Sequence, residues 1–213
     1  MATARQDTDE DLELIHDRSY AVQVFRRSPT EIVARGRVQD QKPPGLYVEG
    51  DPDPLTLHDM TIELRVAFPS LEITDAGVHF ETFPQEGCPG ISAAYRSLVG
   101  VSIARGFTHT VRERFGGPRG CAHVTALLQA MAPAVVQSTW SMRLLGRKAA
   151  AARGEPVSLG SPEARQTAVL PNLDTCHVWA ADGDLVQRVE RGEVVTPGIP
   201  VRERLEALGV EWT

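Results

Sequence analysis

The stretch HDMTIELRVAF, residues 58–68, limits the fold more than any other. Met60, Ile62, Leu64, Val66 and Phe68 are apolar, while Asp59, Thr61, Glu63 and Arg65 between them are polar. Successive side chains of a strand point to opposite faces, so this period of two predicts an antiparallel strand with one face buried and one wet. His58 is in phase with the apolar face and Asp59 with the wet one, so no direct pair between these neighbours is expected. An imidazole aimed at a core must find a hydrogen-bond partner or a ligand there. His58 is therefore either a satisfied core histidine or a candidate catalytic residue.

The neighbouring segments extend the pattern. SYAVQVFRR and EIVARGRV are rich in β-branched and aromatic residues and are divided by Ser28-Pro29, which predicts a hairpin. LEITD, a turn at Asp75-Ala76-Gly77 and VHFETF predict two further strands, making residues 20–83 a meander. After the GCPG turn at 87–90 the period changes. Ile91, Ala94, Tyr95, Leu98 and Val101 fall at helical spacing, and a second helical stripe runs through Val124, Leu127, Leu128, Met131, Val135 and Val136 toward Arg147. Pro133 is expected to kink that helix. LPNLDTCHVWAADGDLVQRV reads as strand, Asp182-Gly183 turn and strand, and VRERLEALGV as a helix. The expected fold class is α+β: an antiparallel β-meander, two packed helices and a C-terminal β-hairpin. A flexible acidic leader at 1–16, one domain at 17–190 and a helical appendage at 191–213 complete the expected organisation.

Charge excludes one class of partner. With 22 Lys and Arg against 28 Asp and Glu, the chain of 213 residues carries a net charge of -6, unlike a nucleic-acid-binding domain. Arg143, Arg147, Lys148 and Arg153 read as a solvated helix end, where cations complement the dipole. No stretch approaches the roughly 20 apolar residues of a membrane span, and the N-terminus carries no secretory signal. Three distant cysteines do not form a disulfide framework. A soluble cytoplasmic protein with reduced thiols and a small-molecule partner is expected, without nucleic acid or membrane, and a homodimer is the default oligomer.

GGPRGCAHVTALL, residues 116–128, is where chemistry is expected. Gly117 and Gly120 let backbone approach a ligand, Arg119 adds a positive charge, and a helix N-terminus follows. Such a cradle suits a carboxylate, phenolate or enolate as well as phosphate; neither GxxxxGK[ST] nor GxGxxG occurs. The plainer reading is a capping loop with a solvated arginine. Cys121 at the helix start is placed to favour thiolate, although a cysteine is also a small apolar residue that is often simply buried. Cys121 and His123 are two residues apart, about 200° on a helical wheel, so they converge only if Cys121 is the cap. The catalytic candidates are His58, Arg119, Cys121, His123 and His177. Tyr20, Asp40, Gly117 and Gly120 are candidates for binding substrate, the first two only if folding brings them to the same cleft. If the site instead holds Zn or Fe, Cys88, Cys121, His123 and Cys176 are the candidate ligands, without a CxxC or HExxH spacing to support them.

LHDMTIELRV, YRSLVGVSIARGF, GGPRGCAHVTALLQAMAPAVVQS and LDTCHVWAADGDLV, in this order, resemble a bacterial family known as a domain of unknown function, number 2889, over roughly residues 17–190. The family pattern has threonine at the position of Ala122 and a more acidic segment near Arg26–Pro29. The resemblance implies an accessory enzyme of aromatic or acyl-thioester breakdown. The order of meander, helices and cysteines at the joints is also similar to iron–sulfur cluster scaffold proteins, a likeness of fold alone. Two functions follow as expectations: a cofactor-independent acid–base lyase acting on an aromatic or carbonyl-bearing molecule, or a Zn- or Fe-binding hydrolase or scaffold-like protein. A non-catalytic module in which the same residues merely pack is the third.

Overall fold

A computed structural model describes residues 12–155, 172–193 and 198–210. The chain divides between Ala149 and Ala150 into two compact units. The N-terminal unit is built on four antiparallel strands in sequence order: β1 Asp17–Ser28, β2 Glu31–Lys42, β3 Leu55–Ala67 and β4 Ile73–Thr82. The expected hairpin at Ser28-Pro29 joins β1 to β2, and the alternation in β3 is realised, with Met60, Ile62, Leu64 and Val66 all buried. Asp59 does face the opposite side, yet it is buried beneath Arg37 and Gln39 rather than wet.

Two helices pack on the apolar face. α1, Phe107–Phe115, buries Phe107, Val111 and Phe115, four residues apart. α2, Ala122–Ala152, runs through Pro133 and buries Val124, Leu127, Leu128, Met131 and Val135 against the strands. The approach is close at Gly36 in β2, where a Cβ would lie 2.6 Å from Met131 Sδ and 3.0 Å from Leu127 Cδ1. Only glycine lets the helix sit this low on the sheet.

Three expectations are corrected. The turn at Asp75-Ala76-Gly77 does not form: these residues pair in register with Arg65, Leu64 and Glu63, and β4 is one strand because Ala76 fills a core position. The first expected helix is a 3-10 segment, Cys88–Leu98, that stops before Gly100 at φ 83. Beyond it, Val101 and Ile103 pair their backbones with Ile73 and Leu71, and helix resumes only at α1. The C-terminal β-hairpin is replaced by helix. Gly183 is extended, φ -78, rather than in the positive-φ conformation a tight hairpin turn needs, and it caps α3, Asp184–Glu190, in which Val186 and Val189 are buried. Upstream, Asp174 and Thr175 side chains bond nearby backbone groups and coil the run into turns.

The C-terminal unit also contains the short 3-10 turn His177–Trp179 and α4, Ile199–Leu208, the helix expected from VRERLEALGV. Most of the acidic leader, residues 1–11, lies outside the described residues. Among the described residues no helix is long and apolar enough to cross a membrane.

Candidate functional site

The buried face of the sheet ends in a polar row. Arg18 of β1 lies opposite Asp40 of β2, and Asp40 lies opposite His58 of β3, so register alone sets these three side by side. Pairing shifts between Asp40 and Gln41, so the regular ladder ends at this row. His123 reaches the row from the first turn of α2.

Asp40 is the hub and is 1% exposed. Arg18 donates to both carboxylate oxygens, Nε to Oδ1 at 2.5 Å and Nη2 to Oδ2 at 2.6 Å. His123 Nε2 lies 3.0 Å and His58 Nδ1 3.1 Å from Oδ2, and His16 Nε2 lies 3.7 Å from Oδ1. The rings of His58 and His123 stack with centroids 3.9 Å apart. His58 Nδ1 is buried and, despite its distance to Asp40, makes no hydrogen bond, because the ring is not oriented to donate to the carboxylate.

Charge and burial compete within this group. Burial, the largest influence on Asp40, opposes ionisation, but the Arg18 hydrogen bonds and the Arg18 charge, with a smaller contribution from the neighbouring imidazoles, outweigh it and hold the carboxyl down to about 2. The hydrogen bond to Asp40 in turn holds Arg18 more firmly protonated, with Tyr20 contributing. Burial and then the charge of His58 push His123 below the usual imidazole value, against the pull of Asp40.

Cys121 is the cap of α2: its carbonyl accepts the first helical bond, from Thr125 N–H at 2.9 Å. The condition for convergence is therefore met, and Cys121 Sγ lies 3.8 Å from His123 Nδ1. Tyr95, fully buried and stacked on Phe115, fixes this corner by accepting the Cys121 N–H at 2.9 Å through its hydroxyl.

Of the residues anticipated, His58, His123, Cys121 and Asp40 come together, and Tyr20 lies two residues from Arg18 on β1. Arg119 does not serve an anion cradle. It is exposed and donates to the backbone carbonyls of Glu113 and Arg112 at the end of α1. The glycines serve the same corner: Gly117 has φ 60, and a Cβ on Gly120 would lie 2.6 Å from Phe115 O. Cys88 packs against the hydrophobic core, while Cys176 and His177 are exposed in the C-terminal unit. Among the described residues, Asp40, His58 and His123 are the group able to share a metal ion, their donor atoms lying within 4.8 Å of one another. The anticipated Cys88, Cys121, His123 and Cys176 set is not this group. Arg18 and His16 were not anticipated; a hairpin centred on Pro29 places residue 18 opposite residue 40, which is the signal that identifies Arg18.

A family model described as "Protein of unknown function (DUF2889)" matches residues 16–137, more than half of the chain, and the chain belongs to this family. The matched span holds His16, Arg18, Asp40, His58, Cys121 and His123, and ends before Cys176 and His177. No curated protein and no solved structure gives a significant match to the chain.

Proposed function

We propose that this member of the DUF2889 family is a small-molecule enzyme, a lyase or hydrolase that cleaves a C–C or C–O bond beside a carbonyl or aromatic group. The Asp40, His58 and His123 cluster is its catalytic centre. The observation that carries the reading is the meeting of two imidazoles on one buried, ionised carboxylate at the head of α2. Packing alone gives no reason for it, since apolar side chains at such positions are commonly as stable as buried charges.

Cleavage next to a carbonyl or aryl group leaves an electron pair on oxygen, as an enolate, phenolate or tetrahedral oxyanion. The first N–H groups of α2 have no partners within the helix and lie at its positive end, so they favour such an anion close to His123. Arg119 is spent on α1, and Arg18 is spent on Asp40, which leaves anion stabilisation to α2 and the cluster. Tyr95 keeps the helix start, and with it His123, in place. The free thiols of Cys88, Cys121 and Cys176 support a reducing, cytoplasmic setting.

A panel of esters, β-hydroxycarbonyl compounds and aryl ethers tests the reading by product analysis. Turnover in one class is expected to fall by roughly 100-fold or more in Asp40→Asn and His123→Ala. It is expected to stay unchanged in His79→Ala, whose histidine pairs with Glu81 on the exposed face. Wild-type rates in both cluster variants would sink the assignment, and incorporation of water across the cleaved bond separates hydrolase from lyase.

A further inference from the structure

We infer that Asp40 Oδ2, His58 Nδ1 and His123 Nε2 are the ligand atoms of a divalent transition-metal ion, Zn²⁺ or Fe²⁺. This deepens the reading of the cluster as a catalytic centre and rests on it. The first argument is geometric. Ligands held at about 2.0–2.2 Å in a tetrahedral arrangement stand roughly 3.3 Å apart. The two nitrogens stand 3.0 and 3.1 Å from Asp40 Oδ2, and one donor atom from each of the three residues lies within 4.8 Å of the others, so a small contraction or expansion seats an ion between them.

The second argument is the unbonded atom. A buried ring nitrogen without a hydrogen bond is rare in a folded protein. His58 Nδ1 is one, although a carboxylate oxygen lies beside it. A nitrogen whose lone pair serves an ion needs no N–H at that position and no orientation toward the carboxylate, which accounts for both facts.

The donor set names the class of ion. Two imidazoles and one carboxylate suit Zn²⁺ or Fe²⁺, whereas Mg²⁺ and Ca²⁺ prefer all-oxygen sites. Three protein ligands leave a position free for water or substrate, the mark of a catalytic rather than a structural site. Surrounding contacts fix the ligands as known metal sites require. Arg18 orients the Asp40 carboxylate, and His123 turns Nδ1 toward Cys121 Sγ, leaving Nε2 for the ion. Because Arg18 already takes up part of Asp40's charge, binding is weaker than an unpaired carboxylate would give.

The test uses the full chain purified without a polyhistidine tag and stripped with chelator. Zn²⁺ and, anaerobically, Fe²⁺ are titrated by calorimetry, and Co²⁺ is followed by its visible d–d absorption. One equivalent is expected to bind, with affinity falling roughly 100-fold or more in His58→Ala, His123→Ala and Asp40→Asn. His79→Ala and His177→Ala are expected to bind as wild type. Where a variant folds poorly, the Zn²⁺-dependent rise in melting temperature of wild type and its absence in His58→Gln give the same answer. No binding to wild type, or affinity unmoved by the cluster variants, overturns the proposal. Turnover lost in His123→Ala without any metal bound would overturn the metal and keep the catalytic centre; metal bound without turnover would do the reverse.

Discussion

Two buried aspartates, on opposite faces of one sheet, each receive an arginine as first partner and differ in the second. Asp40 is gripped through both oxygens by Arg18, and Asp59 through both oxygens by Arg37. Both carboxyls are held below the usual range, Asp59 chiefly by its hydrogen bond to Arg37. At Asp59 the remaining capacity is closed by the amide of Gln39, its cross-strand partner, at 3.2 Å. At Asp40 it faces His58, also a cross-strand partner, and His123 from the helix. A depressed carboxyl is thus no mark of function by itself, since structural ion pairs produce it too. What separates the two sites is whether the second partner is inert, as an amide is, or able to exchange ligands.

That contrast can be broken most directly by amidating each aspartate in turn. Asp40→Asn is expected to lower turnover by roughly 100-fold or more, and Asp59→Asn by no more than about twofold, measured at steady state on the substrate found. Equal losses would erase the distinction between the faces.

The same contrast extends to packing. Gly36→Val forces a branched side chain into Met131 and Leu127 and is expected to cost about 1–3 kcal/mol in denaturant unfolding. Gly77 lies in β4 opposite Glu63, and a Cβ there meets nothing within 4 Å. Gly77→Ala is therefore expected to stabilise by about 0.5 kcal/mol, through reduced freedom of the unfolded chain. A smaller change sharpens the account of the helix start. Tyr95→Phe removes the acceptor of the Cys121 N–H and is expected to cost about 1 kcal/mol, with turnover falling more than stability predicts because His123 loses its fixed position.

Legibility in the sequence followed the range of the interactions. The period of two in β3 and the helical stripe of α2 are local patterns, and both elements formed where they were expected. Asp75-Ala76-Gly77 has the composition of a turn, yet Ala76 fills a core position that only the pairing with β3 reveals. The site behaved in the same way. His58, Asp40, Cys121 and His123 were identifiable one at a time, but their meeting depends on two strand registers and on the seat of α2. Arg18 is legible only through the register of the hairpin that sets it opposite Asp40, and His16, which precedes β1, has no pattern to mark it. Of the two readings open for Arg119, the exposed loop arginine holds and the anion cradle does not, because its guanidinium bonds carbonyls at the end of α1.

The row Arg18, Asp40 and His58 is a readout of register. A slip of one residue between β2 and β3 would set Gln39 or Gln41 beside His58 and turn every side chain of the slipped strand to the other face. An ion held by Asp40 and His58 together with His123 would stabilise the aligned pairing of β2 and β3 over its neighbours by mass action, so the ligand would act as a proofreader of strand pairing during folding. Refolding with and without Zn²⁺ would then differ in the yield of correctly paired chains.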